Sequence, residues 1–238
     1  MIVAGIDLDK LNNQFDQAVD GRVLILDGDG PAYVAAATVK RLDTAIKRFC
    51  GSVLTMMYLT KATSANIHLT SSDSTKHMRF QMTGLKPYQG NRNGKAKPAL
   101  LEPLREAMAD RSVWLPEFNS VVLHKAIEAD DGMIQDAYML KDSGVIQSDD
   151  KDLRQTPYPW YDKETGELRG TLKHNGSVSI KYVGERGTPK LVGHGPLFFW
   201  GQMLCGDTAD NVRGLATYSG KLCGAVLASK MLENVTCH

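Results

Sequence analysis

Acidic side chains recur where apolar, strand-like runs of this sequence end. Four such runs end in acids, at Asp27-Gly28-Asp29, Asp73, Glu128-Ala129-Asp130-Asp131 and Ser148-Asp149-Asp150-Lys151-Asp152. A fifth group, Gly206-Asp207-Thr208-Ala209-Asp210-Asn211, follows a helix-like segment. Ligands of open α/β sheets bind beyond the carboxyl ends of the strands, so these acids are expected to converge. Because like charges in one volume require a cation, and carboxylate oxygens favour Mg²⁺ or Mn²⁺, the pattern predicts a two-metal phosphodiesterase.

The segments between the acids alternate between strand and helix patterns. We predict strands at 23–26, 66–69, 121–127, 144–147, 158–160 and 177–183. We predict helices at 31–61, 100–109, 130–141 and 196–204, a helix or arm at 7–21, and a hairpin turn at Thr165-Gly166. This alternation predicts an α/β fold with a mainly parallel central sheet and helices on both faces.

Helical spacing also predicts which side chains face the core. In the first long helix these are Tyr33, Ala36, Ala37, Ile46, Phe49, Val53, Leu54 and Met57. Asp130 precedes Met133 and Ile134 by three and four residues, so its carboxylate is expected to point toward the sheet. Asp150 and Asp152 are expected on one side of an extended segment, with Lys151 facing away.

Composition sets broad bounds on the protein. The 238 residues are 23% charged and 42% hydrophobic with a formal net charge of +1, as in an ordinary soluble globular protein. No cysteine pair has zinc or redox spacing, and no apolar run approaches a membrane span. The N-terminus lacks the basic region of a secretory signal, so we expect a cytoplasmic protein without a membrane partner.

A basic segment rich in glycine and proline interrupts the regular pattern. Between Arg79 and Arg105 six Lys and Arg residues stand against Glu102 alone. Glycine, proline and lysine together indicate an exposed, mobile segment above the core.

Asp27-Gly28-Asp29 admits more than one interpretation. It is similar to half of a calcium loop, but Pro31 and a missing distal glutamate break that pattern. It also resembles the first motif of haloacid-dehalogenase-type phosphatases, in which the first Asp is the nucleophile and the second the acid/base. That alternative leaves the acids at 128–131 and 150–152 without a role.

Taken in order, the motifs resemble those of the 5′-nuclease family, which includes flap endonucleases and the 5′-to-3′ exonucleases of tailed phages. The resemblance extends from about Val23 to Lys230 and has a PIN-like core as its implied fold. The matching pieces are Leu26-Asp27-Gly28-Asp29, Asp73-Ser74 with Arg79, Tyr88-Gln89-Gly90-Asn91-Arg92, Glu128-Ala129-Asp130-Asp131, Ser148-Asp149-Asp150-Lys151-Asp152-Leu153 and Gly206-Asp207-Thr208-Ala209-Asp210-Asn211-Val212-Arg213-Gly214.

The resemblance implies hydrolysis of DNA near 5′ ends by two Mg²⁺ or Mn²⁺ ions, with the RNA strand of hybrids as a further substrate. The first ion would be surrounded by Asp27, Asp73, Glu128, Asp130 and Asp131. The second would be surrounded by Asp150, Asp152, Asp207 and Asp210. One ion would activate a water, and both would stabilise charge on the reacting oxygens.

The resemblance also implies an arch or clamp at about 79–105 that gathers the 5′ strand. Arg92 and Lys86 would act on the scissile phosphate, and Tyr88 would stack on a base. Further DNA contacts are expected from Arg79, Lys95, Lys97, Arg213, Gly214, Gly220 and Lys221. The last four belong to a helix–two-turn–helix, with a K⁺ site, that would hold duplex backbone.

Three features depart from the family pattern. Gln89 replaces the usual lysine, Thr217 and Ser219 replace glycines at the monovalent-ion site, and the sequence ends at His238, where relatives continue. A catalytically inactive DNA-binding relative is therefore a further alternative. We expect a monomer with a catalytic domain at 1–205 and a duplex-binding region at 206–238.

Overall fold

A six-stranded sheet forms the centre of the computed structural model, which describes residues 2–3, 6–7, 18–81, 97–207, 212–217, 219–233 and 235. A short antiparallel pair, β1 (Ile2–Val3) and β2 (Ile6–Asp7), precedes it. The sheet contains β3 (Val19–Asp27), β4 (Ala62–Thr70), β5 (Phe118–His124), β6 (Gly144–Gln147), β7 (Trp160–Asp162) and β8 (Glu167–Arg169). Its spatial order is β5-β4-β3-β6-β7-β8, and only the pairing of β7 with β8 is antiparallel. The predicted mainly parallel α/β sheet is confirmed.

Helices cover both faces of this sheet. On one face α1 (Asp29–Ala37), α2 (Leu42–Thr60) and α3 (Leu101–Ala109) pack on Leu24 and Leu26 of β3. On the other face α4 (Ala129–Leu140) packs on Ile25 of β3 and Ile146 of β6. Because successive strand residues point to opposite faces, Leu24 and Leu26 pack in one core and Ile25 packs in the other.

The path of the chain creates a crevice beside β3. The chain leaves β3 toward β4 and β5, and α4 then leads back to β6 on the other side of β3. The carboxyl ends of β3 and β6 therefore flank a topological switch point, where ligands of such sheets bind. Gly28 allows close packing there, because a Cβ at this position would lie 2.8 Å from Leu69 Cδ2 and 2.9 Å from the His68 carbonyl oxygen.

The prediction of a single helix at 31–61 is wrong. The chain forms α1 and α2 with a break at 38–41, where the β-branched Thr38 and Val39 disfavour a continued helix. The Arg48 guanidinium donates to Thr38 Oγ1 at 2.7 Å and links the two helices. The predicted core residues Tyr33, Ala37 and Leu54 are exposed, because the buried faces of α1 and α2 are formed by their neighbours Ala32, Ala36 and Val53.

Four predicted strands also have different bounds. The strands expected at 23–26 and 66–69 are longer and extend over Val19–Asp27 and Ala62–Thr70. The strand expected at 121–127 ends at His124, because residues 125–126 instead pair with the segment that follows β4. Thr75 N donates to Lys125 O at 2.9 Å and His77 N to Ala126 O at 2.8 Å. The strand expected at 158–160 is Trp160–Asp162, and the predicted hairpin turn at Thr165-Gly166 joins it to β8.

A second hairpin lies outside the central sheet. It consists of β9 (Ser177–Val183), as predicted, and β10 (Thr188–His194), which the sequence did not indicate. The hairpin packs on α5 (Pro196–Cys205) and α6 (Ala225–Leu232).

The described part of the C-terminal region has little regular structure before α6. The short strands β11 (Gly206–Asp207) and β12 (Val212–Arg213) pair, and an Ala216–Leu222 bridge follows. Thr217 N donates to Lys221 O at 2.7 Å and closes a turn. The predicted helix–two-turn–helix and the domain boundary at 205/206 remain predictions. No helix in the described ranges has the length and apolar character needed to cross a bilayer.

Candidate functional site

Three carboxylates face the crevice between β3 and β6. Asp27 ends β3, Asp130 lies in the first turn of α4, and Asp150 precedes a 3₁₀ turn, Lys151–Gln155, that follows β6. Ser148 connects two of them, because its Oγ donates to Asp27 Oδ2 at 2.7 Å and accepts from Asp150 N at 2.9 Å. The switch point thus brings together acids that lie up to 123 positions apart in the sequence.

Burial and the charges of nearby carboxylates raise the pKa of each of these acids. The pKa of Asp130 is raised to about 8, first by burial and then by the charges of Asp27 and Asp150. Burial also raises the pKa of Asp27, with Asp29 and Asp150 adding to the shift against the Ser148 hydrogen bond. Burial raises the pKa of Asp150 as well. A buried cluster of carboxylates is stabilised when it binds a proton or a cation. Because carboxylates offer only oxygen ligands, Mg²⁺ or Mn²⁺ suits this cluster.

Glu128 and Asp131 are held by basic side chains. The two carboxylates form a reciprocal capping box at the start of α4, in which Glu128 N donates to Asp131 Oδ2 at 3.1 Å. The Arg79 guanidinium pairs with Glu128 and, at 2.8 Å, with Asp131 Oδ1, while Lys76 Nζ lies 3.0 Å from Glu128 Oε1. Arg79, predicted to contact DNA, therefore points into the acidic cluster.

The expectation that Lys151 faces away from its neighbouring acids is wrong. Residues 151–155 form a 3₁₀ turn, and Asp152 N donates to Asp150 Oδ1 at 2.9 Å. Lys151 Nζ lies 2.9 Å from Asp152 Oδ1 and also pairs with Asp207. Gln202 Nε2 donates to Asp152 Oδ1 at 2.7 Å. A protein cation thus lies between two predicted ligands of the second metal ion.

Other predicted ligands are not brought into this arrangement. Asp73 is exposed, and its pKa is lowered by the Ser71 hydroxyl and by the charge of Lys125. Asp210 lies outside the described residues. Over the ranges that the structure describes, no three Asp, Glu, His or Cys side chains form a group that could hold a metal ion. Metal binding therefore requires the carboxylates to move from their present partners.

Asp29 is engaged in a structural ion pair. Arg105 Nη2 donates to Asp29 Oδ1 at 2.8 Å, and Thr70 N donates to the same oxygen at 3.1 Å. Arg105 also donates to Glu102 Oε1 at 2.7 Å and is only 8% exposed. The expectation that 79–105 is an exposed segment is therefore wrong for Arg105, which α3 buries against α1.

A buried polar network attaches α4 to the sheet. His68 Nδ1 lies 2.9 Å from His124 Nε2, and His68 Nε2 lies 3.1 Å from Asp136 Oδ2. Asn66 Nδ2 donates to Asp136 Oδ2 at 2.7 Å. Gly132 makes room for the rings, because a Cβ there would lie 2.5 Å from His124 Nε2.

Only some of the residues predicted to contact DNA lie within the described ranges. Lys97, Arg213 and Lys221 are exposed, and Gly220 has a positive φ of 76° in the turn before α6. Gly214 lies close to Cys205, because a Cβ there would be 2.6 Å from the Cys205 carbonyl oxygen. The arch candidates, which are Lys86, Tyr88, Arg92 and Lys95, lie outside the described residues, as does Gln89.

Sequence reasoning missed several side chains that shape the site. Lys76 and Gln202 bind predicted ligands, and Ser148 joins the two strand ends. For Ser148 a signal existed, since a serine directly after a strand and two residues before an aspartate favours a local turn. The partners of Lys76 and Gln202 are distant in sequence and carried no such signal.

The parallel sheet and the helices on both of its faces define a doubly wound α/β fold, with acids gathered at its switch point. Solved structures of phage T5 proteins share this fold. The T5 D15 protein co-crystallised with metal ions matches with a TM-score of 0.55 and 15% identity, over 89% of this chain and 74% of that chain. T5 5′-exonuclease with bound zinc matches with a TM-score of 0.55 and 14% identity over the same shares.

A variant of the T5 D15 flap endonuclease, in a pseudo-enzyme–product complex with DNA and metal ions, matches with a TM-score of 0.56. Its identity is 14%, again over 89% of this chain and 74% of that one. No family model and no curated protein matches the sequence. At this identity the likeness establishes the fold, and it confirms the fold that the resemblance to 5′ nucleases implied.

Proposed function

We propose that this protein is a divalent-metal-dependent 5′ nuclease that hydrolyses DNA phosphodiesters from or near 5′ ends. The observation that carries the proposal is the convergence of Asp27, Asp130 and Asp150 at the switch point, with the pKa of Asp130 raised to about 8. Carboxylates that repel one another are suited to binding divalent cations. The T5 fold adds support, because those proteins are named as 5′-exonuclease and flap endonuclease.

Two groups of acids would hold the metal ions. Asp27 and Asp130 would hold the first once their side chains rearrange, joined by Asp150, which the motif resemblance assigned to the second ion. Asp152 and Asp207 would hold the second after Lys151 releases them. Asp73, Glu128, Asp131 and Asp210 complete the proposed set. When bound, the ions would lower the pKa of a water and stabilise charge on the attacking and leaving oxygens.

The remaining roles belong to the chain itself. Ser148 orients the Asp27 carboxylate through its 2.7 Å hydrogen bond. Arg79 orients Glu128 and Asp131 at the base of the proposed arch. Within the arch Arg92 and Lys86 would contact the scissile phosphate and Tyr88 would stack on a base, with Lys95 and Lys97 binding backbone.

Duplex DNA would be held by the C-terminal turn and α6. Amide groups near Gly214 and Gly220, together with Arg213 and Lys221, would contact phosphates without reading sequence. A K⁺ ion at this turn, cleavage of RNA in hybrids and a monomeric state in the cytoplasm also belong to the proposal. Both exonuclease and flap endonuclease modes are compatible with it.

An inactive DNA-binding relative is the second candidate. It is favoured by the ion pairs that Arg79, Lys76 and Lys151 make with four of the predicted metal ligands. The phosphatase alternative has less support. Its acid/base residue would be Asp29, whose Oδ1 is already bound to Arg105 and to Thr70 N.

The decisive experiment is a gel assay on 5′-labelled flap, nicked duplex and blunt duplex DNA, with Mg²⁺, Mn²⁺ or EDTA. We expect metal-dependent release of short 5′ products, and their lengths distinguish exonuclease from flap cutting. Intact DNA under every condition, with binding retained, would support the inactive relative instead.

The substitution Asp130→Asn tests whether the proposed metal site is responsible for DNA cleavage. We expect it to abolish cleavage while DNA binding in EDTA survives, because the amide cannot replace an anionic metal ligand. Asp20→Asn is the matched control, since Asp20 is exposed at the opposite end of the strand that carries Asp27. An unchanged cleavage rate in Asp130→Asn would exclude the proposed metal site.

A further inference from the structure

A cleft opens beside the candidate metal centre, between the β9–β10 hairpin and strands β7 and β8. Its volume is about 810 Å³, within the range of roughly 300–1,000 Å³ typical of small-ligand sites. Asp150 and Lys151 are among its lining residues. The cleft therefore shares Asp150 with the proposed metal centre.

The hairpin contributes a basic wall to this cleft. Side chains of paired residues in antiparallel strands lie on the same face, and the pairs Ser177–His194 and Lys181–Lys190 all line the cleft. Lys181 and Lys190 are direct partners, and like charges directly opposite one another destabilise a sheet. An anion bound between them would relieve that repulsion.

Two arginines extend the basic surface across the cleft. The Arg154 guanidinium lies 4.8 Å from the centre of the Trp160 ring, and Arg169 is the cross-strand partner of Trp160. Gly195 N donates to Arg154 O at 2.7 Å, which attaches Arg154 to the end of β10. The pKa of His194 is lowered by burial and by the charges of Arg169 and Arg154, consistent with their closeness.

The acids that line the cleft come from the segment after β6, from β7 and from the β7–β8 turn, and the hairpin contributes none. Asp149 pairs with Lys163 at 3.0 Å, and Asp162 Oδ1 accepts from Glu164 N at 3.0 Å in the β7–β8 turn. Asp150 belongs to the metal centre, and Glu164 lies in the same turn as Asp162. Lys181 and Lys190 therefore present ammonium donors from the hairpin, and Arg154 presents its guanidinium beside Trp160, while Arg169 pairs with Glu167 and the Ser177 hydroxyl with His194.

We propose that this cleft binds phosphate groups of a nucleic-acid strand or nucleotide beside the metal centre, through Lys181, Lys190 and Arg154. The inference rests on the proposed nuclease function and assigns it a third DNA-contact region, in addition to the arch and the C-terminal turn. Phosphate oxygens match the guanidinium and ammonium donors, and the Trp160 ring is stacked with Arg154.

Anisotropy titrations in EDTA test the cleft without cleavage. The probe is a labelled single-stranded oligonucleotide carrying a 5′ phosphate, titrated at several NaCl concentrations. We expect Lys190→Glu to weaken binding about tenfold and to reduce the slope of log affinity against log salt by about 1. Lys47→Glu on α2 is the matched control, because Lys47 is exposed and does not line the cleft.

Thermal unfolding supplies an independent readout. Lys190→Glu replaces a like-charge pair with an opposite-charge pair, so we expect its Tm to rise while its DNA affinity falls. A variant that merely disrupted the fold would show a lower Tm as well as a lower DNA affinity. If Lys190→Glu does not fold, Lys190→Gln tests the same loss of charge.

The outcomes separate the two proposals. Equal binding by Lys190→Glu and the Lys47→Glu control would overturn the cleft proposal, whether or not the wild type cuts DNA. Binding that depends on Lys190 in a protein that never cuts DNA would keep the cleft and reject the nuclease. If thymidine 5′-monophosphate or inorganic phosphate displaces the labelled oligonucleotide, the cleft binds a terminal phosphate. If neither displaces it, the cleft binds the backbone of the strand.

Discussion

Replacing Asp130 with asparagine should stabilise the metal-free protein at alkaline pH while removing its proposed activity. The pKa of Asp130 is raised from 3.8 to about 8 by burial and by the charges of Asp27, Asp150, Glu128 and Asp29. At about 1.4 kcal/mol for each pKa unit, the whole shift corresponds to an upper limit of about 6 kcal/mol. Neighbouring acids can take up the proton instead, so we expect a gain of about 3 kcal/mol.

The pH dependence follows from the direction of the shift. A carboxyl whose pKa is higher in the folded state than in the unfolded state destabilises the fold once it is ionised. For Asp130 this destabilisation grows between about pH 4 and pH 8 and is constant above that range. The advantage of Asp130→Asn should therefore be small near pH 4 and largest above about pH 8.

Thermal unfolding in EDTA from acidic to alkaline pH measures this advantage. For a domain of this size, about 3 kcal/mol corresponds to a rise in Tm of about 6–12 °C. Asp20→Asn should show no such rise, because Asp20 is exposed. Adding Mg²⁺ should stabilise the wild type more than Asp130→Asn. An Asp130→Asn protein no more stable than the wild type at pH 8 would refute the electrostatic reasoning.

Two further substitutions test other parts of the site. Gly132→Ala should lower the free energy of unfolding by about 1–3 kcal/mol, because its Cβ would lie 2.5 Å from His124 Nε2. Urea unfolding measures this loss against Gly30→Ala, whose Cβ would meet nothing within 4 Å, and equal midpoints would contradict it. Lys151→Met should raise Mn²⁺ affinity about fivefold by calorimetric titration, because an ion pair worth about 1 kcal/mol no longer competes for Asp207. Lys151→Arg, which keeps the charge, should not raise it, and an equal rise in both variants would contradict competition.

The pattern of apolar residues in the sequence was sufficient to locate the strands of the sheet and the acids that follow them. The run at 144–147 is uniformly apolar up to Gln147 and forms a fully buried strand with the predicted bounds. The first turn of α4 could also be oriented, because Met133 and Ala137 mark the helix face that packs on the sheet. These features depend on local periodicity, which a single sequence displays directly.

The partners of the charged side chains could not be predicted in the same way. Lys151 was expected to face away from the acids, but it binds Asp207, 56 positions later in the chain. Arg79 was assigned to DNA and binds Glu128, 49 positions away. A long flexible cation can reach many acids, and which of them it meets depends on how separate elements pack.

The sequence by itself determined the parallel sheet, the placement of acids at strand ends and the helix that carries Asp130, because each follows from short-range patterns of burial. Only the tertiary structure decided which of these acids converge, with Asp27, Asp130 and Asp150 in one crevice and Asp73 on the surface. It also placed Lys181 opposite Lys190 beside that crevice. Strand order and hairpin register bring these groups together, and both are set by contacts between residues distant in the sequence.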